Sequence, residues 1–300
     1  MNHLTIDKIP KLRRPVFILA FAGWNDAGES ATSAAQFLCS RLNAEKFATL
    51  DPEEFYNFAE LRPRVKLTRG QREIMWPANE FFYSQEQGQD LIIGVGVEPH
   101  LKWRTYIDTI LDLARQCQTN MILTLGALLA EVVYSRPVRI TGSSTDPELS
   151  ARLHLSTSRY EGPTGIVGIL NDACRREGLP AVSLWANVPH YLSTTPNPKA
   201  MHALVRRTTN LLDCPLDLHD VEAAVQDFET KVAEVIANNP SVAAYVRQLE
   251  EREAEEGEES PRRGSELPSG EQLVQELEQF LRRQRRDKPR EEPEPEERSE

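Results

Sequence analysis

The stretch that decides the fold is VFILAFA at residues 16–22, followed directly by GWNDAG at residues 23–28. The first part is apolar and rich in aromatic residues, which favours a buried strand. The second part consists largely of turn and helix-capping residues, and apolar side chains recur at helical spacing over residues 30–43. A buried strand, a glycine-rich turn and a helix in direct succession predict the start of an α/β sheet.

The same alternation continues along the chain. Further strands are predicted at 47–50, 55–58, 91–97, 121–125 and 181–186, and further helices at 106–117 and 165–173. Continuous apolar runs separated by helices are typical of a mostly parallel sheet with helices on both faces. We therefore expect a three-layer α/β core over residues 1–218.

A hairpin insertion is predicted inside this core, near residues 64–83. Two short strands at 65–67 and 73–76 flank the turn sequence Thr68-Arg69-Gly70-Gln71. Their apolar side chains have no evident partner in the rest of the chain. These side chains are Val65, Leu67, Ile74, Met75 and Trp76. Because an exposed apolar ribbon marks an interface, these residues are the candidate oligomer contacts and predict a homo-oligomer.

The pattern of apolar residues changes near residue 219. Apolar residues at helical spacing, broken at Asn238-Asn239-Pro240, predict a two-helix unit over 219–250. A charged linker is expected at 251–270, a short amphipathic helix at 271–286 and a disordered tail at 287–300. So short a helix needs a surface to pack on, either its own core or another protein.

Charge and cysteine content exclude several classes of protein. The net charge is −11, and residues 250–300 carry −8 of it, so the core is nearly neutral and lacks the basic face that nucleic-acid binding needs. The four cysteines are far apart with no CxxC spacing, which indicates free thiols in a reducing, cytoplasmic compartment. The run at 16–22 is short for a signal peptide, and no apolar stretch is long enough to span a membrane.

In an open parallel sheet, ligands collect at the carboxyl ends of the strands. The candidate ligand-binding residues in such positions are Gly23, Trp24, Asn25, Asp26, Gly28, Glu98, Arg104, Gly126, Arg136, His190, Tyr191, Asn197 and Lys199. A glycine that admits close backbone approach, followed by a helix N-terminus, favours a small anionic ligand. We expect Asp26, Glu98, Arg104 and His190 to meet in one cleft, covered by the helices from Asp220 onward.

Structural explanations exist for the same residues. Asn25 and Asp26 are good helix caps, Glu98 and Arg104 can form an ion pair, and His190 can bond a loop carbonyl. Arg136 with Pro137 can fix the start of a strand. The sequence has no G-x-S-x-G elbow, P-loop, G-x-G-x-x-G or metal-ligand spacing, so no catalytic residue, cofactor or metal is assigned.

Several segments, taken in order, resemble the proteasome-assembly-chaperone family, in its bacterial and mainly actinobacterial branch. They are Gly23–Gly28, Arg62-Pro63, Glu98-Pro99 with Trp103-Arg104, Thr124–Leu129, Tyr160–Gly165, and Trp185 through Pro189-His190-Tyr191 to Pro196–Ala200. The resemblance implies a core like those of purine nucleoside phosphorylases and peptidyl-tRNA hydrolases. It also implies a hairpin used in trimer formation and a C-terminal helical unit over a pocket.

Eukaryotic and archaeal relatives assist assembly of the 20S proteasome, partly through a C-terminal hydrophobic-Tyr-x tail. This chain ends in Glu297-Arg298-Ser299-Glu300, which argues against docking on a proteasome ring by that route. It also has Val133-Tyr134-Ser135-Arg136-Pro137 where the family usually has Pro-His-Thr-Arg-Pro, so a tyrosine replaces a histidine that could act as a base.

Two functions follow from these observations. The first is a non-enzymatic assembly-chaperone-like or scaffold protein, favoured by the resemblance and by the missing catalytic motifs. The second is a protein that binds a small anionic ligand, or a hydrolase- or phosphorylase-like enzyme, using the cleft under the helical unit. The expected partners are further copies of the chain, with a trimer favoured, and another protein or the small ligand, but neither nucleic acid nor membrane.

Overall fold

The computed structural model describes residues 3–68, 70–86, 88–155, 161–192 and 196–256. The predicted linker from residue 257 on, the helix at 271–286 and the tail lie outside these ranges. The described strands are β1 (Leu4–Ile6), β2 (Val16–Ala22), β3 (Glu45–Leu50), β4 (Arg64–Thr68), β5 (Gln71–Met75), β6 (Asn79–Ser84), β7 (Leu91–Val97), β8 (Met121–Ala130), β9 (Ile140–Ser144) and β10 (Ala181–Pro189). The described helices are α1 (Ser30–Arg41), α2 (Trp103–Gln116), α3 (Pro147–Arg152), α4 (Ile166–Glu177), α5 (Pro198–Leu212), α6 (His219–Ala237) and α7 (Pro240–Glu256).

Eight of these strands form one central sheet in the order β1-β3-β6-β7-β2-β8-β10-β9. The four central strands, β7, β2, β8 and β10, are parallel, and they coincide with the predicted continuous apolar runs. Antiparallel strands extend the sheet on both sides. The expected α/β class is confirmed, because parallel strands buried on both faces require helices on both sides.

Strand β2 shows how the two helical layers are held. Its even-numbered side chains, from Val16 to Ala20, lie in the core beneath α1 and α5. Its odd-numbered side chains, from Phe17 to Phe21, lie in the core beneath α2 and α4. Because successive side chains of a strand point to opposite faces, one apolar run supplies both cores.

The hairpin stands apart from this sheet. Strands β4 and β5 pair only with each other among the described strands, whereas β6 pairs with β3 and β7. The range 64–83 therefore divides into a separate two-stranded ribbon and a strand of the main sheet. The two ribbon strands are exposed along nearly their whole length.

The predicted strand at 55–58 is wrong. Residues 55 and 56 lie in a turn, where their backbone N–H groups both donate to the carbonyl of Pro52 at 3.1 Å. Phe55 is fully buried and packs edge-on against Tyr106 of α2, with ring centroids 5.4 Å apart. The apolar pattern therefore came from a turn that packs its side chains inward.

The two predicted C-terminal helices are present as α6 and α7. They bury Val232, Val235, Ile236, Val242 and Val246 in a third, smaller core. Helix α7 continues to Glu256, beyond the expected boundary at 250, because the sequence EEREAEE at 250–256 consists of good helix formers. None of the helices in the described ranges is long and apolar enough to cross a membrane.

Candidate functional site

The loops after β2 and β7 meet β8 at the carboxyl edge of the sheet. The carbonyl oxygen of Asn25 accepts a hydrogen bond from the backbone N–H of Ala127 at 2.9 Å, and the backbone N–H of Glu98 donates to Ala22 at 2.9 Å. Gly23 has φ +120°, and a Cβ placed on it would lie 3.4 Å from Cβ of Glu98. That distance is an ordinary contact, so glycine is needed here for its backbone angle.

Glu98 uses its carboxylate to begin a helix. Its Oε1 accepts hydrogen bonds from the backbone N–H of Ile166 at 2.7 Å and from Nδ2 of Asn25 at 2.9 Å. Ile166 is the first residue of α4, whose preceding residue, Gly165, has no side chain to cap it. Glu98 thus supplies the missing cap.

Asp26 has the same role at α1. Its carboxylate accepts hydrogen bonds from the backbone N–H of Ala31 at 2.6 Å, from that of Thr32 at 3.3 Å, and from the Thr32 hydroxyl. The side chain is buried, and loss of hydration raises the pKa of its carboxyl group even though these hydrogen bonds oppose the shift. Asp26 therefore faces the helix N-terminus.

Asn197 connects the first loop to a distant helix. Its backbone N–H donates to the carbonyl of Gly28 at 2.8 Å, and its Oδ1 accepts from the backbone N–H of Ala200 at 2.9 Å in the first turn of α5. Gly28 itself has φ +60°, as expected for a turn glycine. Both residues therefore hold α1 and α5 in register.

His190 and Tyr191 bind the helical unit to the core. The two ring nitrogens of His190 lie 3.4 Å from the carbonyl oxygen of Ala130 and 3.1 Å from the hydroxyl of Tyr245 in α7. The Tyr191 hydroxyl accepts from the backbone N–H of Tyr134 at 2.9 Å and donates to Val132 at 3.3 Å. Burial raises the pKa of Tyr191 well above its ordinary value.

Helix α7 packs against the segment around Tyr134. The backbone N–H of Val133 donates to Glu253, the Ser135 hydroxyl to Glu250, and Arg252 pairs with Glu131. Lys199 of α5 also contacts this segment. Its ammonium group donates a hydrogen bond to the Tyr134 carbonyl at 2.7 Å and pairs with Glu229 of α6. Val133, Tyr134 and Ser135 therefore form hydrogen bonds that attach α5 and α7 to this segment.

The remaining candidate residues are Arg104, Arg136, Gly126 and Trp24. Arg104 and Arg136 are exposed, and neither side chain bonds another described residue, so the Glu98–Arg104 ion pair does not form. Gly126 is a packing position, because a Cβ there would lie 2.6 Å from the ring of Trp185. Trp24 projects from the loop with 66% of its surface exposed.

Two cavities in the described part of the chain lie beside α1. One, of about 530 Å³, lies beside α1 over β6 and β7 and is lined by Thr32, Cys39, Glu80, Phe82 and Val95 among others. The other, of about 360 Å³, lies between α1, the start of α5 and α6, next to Asn197, Phe228 and Lys231. Asp26, Glu98, Arg104 and His190 line neither of these two cavities.

Sequence reasoning did not single out Tyr245, Glu250 and Glu253, which hold α7 against the core. The available signal was the helical apolar pattern over 242–249, which predicted a packed helix but not the surface on which it packs. The sequence also did not predict that Leu101 and Leu129 are exposed at the strand ends. Among the described residues, no group of three acidic, histidine or cysteine side chains is placed to hold a metal ion.

The PAC2 family model matches residues 20–236. A PAC2 family protein from Streptomyces avermitilis is 41% identical, with a TM-score of 0.73, over 77% of this chain and 99% of that chain. A proteasome-assembly chaperone homologue from Mycobacterium tuberculosis is 38% identical, with a TM-score of 0.71 and the same coverage. An archaeal proteasome activator from Pyrococcus furiosus, 21% identical over 78% of this chain and 99% of its own, shares the fold with a TM-score of 0.64. No curated protein matches the chain.

Proposed function

The chain belongs to the PAC2 family, and from this premise we propose that it is a non-enzymatic assembly-chaperone-like or scaffold protein that acts as a homotrimer. One observation carries the proposal. The hairpin presents four large apolar side chains, each between 50% and 70% exposed, on strands that pair with no other strand of the described chain. Trp76, which follows β5, is 51% exposed but does have a partner in the chain, because its ring packs edge-on against Phe58 with the centroids 5.0 Å apart. Such a surface is an interaction site, because exposed apolar patches on soluble proteins mark interfaces.

The strand-end residues support the same proposal. Asp26, Glu98 and Asn197 are used as helix caps, and His190, Tyr191 and Lys199 hold the helical unit. These side chains therefore have structural partners within the protein, which supports a structural role for them. The family's assembly role, which is named for the mycobacterial homologue, is consistent with a protein whose distinctive surface is an apolar ribbon.

We place this protein in the cytoplasm, on the strength of its cysteines. Cys39, Cys117, Cys174 and Cys214 are all free thiols. Burial raises the pKa of Cys117 to about 11 and that of Cys39 to about 12, so these thiols are protonated and unreactive. A chain that carries four unpaired cysteines suits a reducing compartment.

The hairpin register supplies a matched test. Ile74 pairs across the ribbon with Val65 on one face, whereas its neighbour Met75 pairs with Arg64 and points to the other face. The two side chains are equally exposed, so Ile74→Glu and Met75→Glu change the same charge at opposite faces. We expect Ile74→Glu to reduce the mass measured by light scattering, because it puts a charge on the face that also carries Val65 and Leu67. Met75 lies on the opposite face across from Arg64, so Met75→Glu should change the mass less.

A wild-type protein that is monomeric at micromolar concentration would overturn the proposed oligomer. Retained mass in Ile74→Glu, with an unchanged circular dichroism spectrum, would remove the hairpin from the interface.

The alternative function, a pocket for a small anionic ligand, has less support. In the smaller cavity the ammonium group of Lys231 is already paired with Asp227. Thermal stabilisation of the wild type by inorganic phosphate, lost in Lys231→Ala, would favour that alternative.

A further inference from the structure

We propose that residues 271–286 fold back as a helix onto their own copy of the chain and dock in the larger of the two cavities. We call this cavity the α1 groove, because it lies between α1 and the neighbouring strands β6 and β7. The inference names a surface for the amphipathic segment that the sequence left without one. It concerns a different part of the molecule from the hairpin and does not rest on the proposed oligomer.

The α1 groove lies where the helical layer leaves room for one more helix. On this side of the sheet α1 packs on β2, β7 and β8, and α5 packs on β9 and β10. Strands β6 and β3 come next beyond β7. Adjacent strands are about 4.8 Å apart, so these two strands present a strip about 10 Å wide, which is the width of a helix.

The floor of the groove continues the apolar core outward from α1. Phe81 lies in the core beneath α2 and α4, so its neighbour Phe82 points to the α1 side. Phe82 pairs in register with Ile93, which lies in the core beneath α1 and α5, yet Phe82 itself stays only half-buried. The other apolar residues of the lining are Ala22, Ala44, Ala78, Val95 and Val97.

The other face of the same two strands is covered. There Phe47 of β3 and Phe81 of β6 belong to one buried cluster with Phe55, which the turn after β3 supplies. The sheet is therefore packed on one side of β3 and β6, whereas on the α1 side its apolar floor is open to a further element.

The polar groups of the groove already have partners or are uncharged. Glu80, the charged residue of the described lining, lies 2.9 Å from the ammonium nitrogen of Lys46, and the Thr32 hydroxyl donates to Asp26. Gln36 and Ser40 are exposed one helical turn apart on α1. An apolar floor with neutral groups at its rim suits a stripe of apolar side chains better than it suits an ion.

The segment 271–286 has such a stripe and the right length. Its apolar residues recur at helical spacing and are Leu273, Leu277, Phe280 and Leu281. From the first to the last of these positions a helix rises about 12 Å. Helix α1 and strand β6, which flank the groove, are each about 20 Å long, so the stripe fits within it. A helix of this length is stable in water only when it is packed.

The chain can reach the groove from where the described part ends. Helix α7 ends at Glu256, and its last turns lie near the end of β8, because Glu253 accepts from the backbone N–H of Val133. The groove opens at the same edge, since Ala22 and Val97 are the last residues of β2 and β7. Strand β6 is three strand spacings from β8, or about 15 Å.

The linker favours docking within one copy. Residues 257–270 lie outside the described ranges, and a flexible chain of that length spans about 20 Å on average. That span matches the distance to be crossed. Tethering then gives the segment an effective concentration in the millimolar range at its own groove, above that of a separate protein at micromolar concentration.

The first experiment tests whether the apolar stripe is packed. We expect truncation after Glu256 to lower the melting temperature by about 3 °C or more. Leu277→Glu/Leu281→Glu in the full chain should produce a similar loss. Gln275→Glu/Gln279→Glu adds the same charge on the opposite side of the same helix and should leave the melting temperature unchanged.

The second experiment tests where the segment lies. Gln36→Cys in the groove is combined with Leu277→Cys in the segment and treated with a short bismaleimide crosslinker. The control places the first cysteine at Asp108, which is exposed on α2 in the opposite helical layer. We expect the Gln36 pair to give at least a fivefold higher yield of crosslink within one chain than the Asp108 pair.

Each outcome supports or overturns the inference. A crosslink within one chain, together with lower melting temperatures for the truncated protein and for Leu277→Glu/Leu281→Glu, supports docking in the α1 groove. A crosslink that joins two chains, seen as a doubled mass on a denaturing gel, would show that the segment occupies the groove of another copy and would overturn it. A yield no higher than the control, or an unchanged melting temperature after truncation, would also overturn it. Circular dichroism checks that each variant is folded, and the hairpin variants test the oligomer separately.

Discussion

Oε1 of Glu98, the residue that directly follows strand β7, lies 2.7 Å from the backbone nitrogen of Ile166, which is 68 residues further along the chain. A carboxylate that follows one strand therefore begins the helix that precedes another. This relationship gives the acidic residue at this strand end a structural role. It also shows how the loops of the carboxyl edge are fastened to one another.

We expect Glu98→Ala to lower the free energy of unfolding by about 1–2 kcal/mol, the usual effect of removing a helix cap. Glu98→Gln keeps an acceptor oxygen and should cost less. Urea denaturation measures both. Glu161→Ala, an exposed acid in the loop before α4, is the control. Equal stability of Glu98→Ala and wild type would contradict the capping role.

Asp26 should make stability depend on pH. Because burial raises the pKa of its carboxyl group above the ordinary 3.8, the folded state holds the proton more tightly than the unfolded state. The contribution of Asp26 is then greatest at low pH and falls as the pH rises from about that ordinary value through the folded pKa.

Replacing this carboxyl group by an amide removes its titration. We expect the stability of Asp26→Asn relative to wild type to increase as the pH rises across that range, with thermal melting as the measurement. Asp108→Asn, at an exposed position on α2, should show no such trend. A pH-independent difference for Asp26→Asn would contradict the assigned shift.

His190 and Tyr245 should determine how firmly the helical unit is held. Loss of their 3.1 Å hydrogen bond in Tyr245→Phe costs about 1 kcal/mol, which raises local opening about fivefold. Hydrogen exchange should therefore accelerate in α6 and α7 and stay unchanged in β2 and β8. His190→Ala, which also removes the ring contact with Tyr245, should have a larger effect. Uniform acceleration throughout the core would point to global destabilisation instead.

Gly126 should tolerate no side chain while Trp185 is present. A Cβ would lie 2.6 Å from that ring, so Gly126→Ala should destabilise the protein by about 1–3 kcal/mol, as overpacking of cores does. The double variant Gly126→Ala/Trp185→Leu should cost less than the sum of the two single changes, as measured by urea denaturation. Strict additivity would show that the ring is not the obstacle.

The sequence predicted the layers of this fold because its central strands and helices have strong periodic patterns. The run at 16–22, the strand at 91–97 and the two C-terminal helices were all placed within a few residues. The turn at 55–56 was mistaken for a strand, since inward packing in a turn produces the same apolar alternation. The hairpin and its exposed apolar residues were also predicted, because a short strand pair with no buried partner is visible in the sequence.

The roles of the polar residues depended on the tertiary structure. The sequence by itself determined which side chains follow the strands, and Asp26, Glu98 and His190 were correctly placed at strand ends. Whether such a side chain faces a ligand or a backbone N–H depends on helices that begin far away in the chain. Residue pattern encodes local structure and burial, whereas hydrogen-bond partners 55 to 68 residues apart are decided only when the elements pack together.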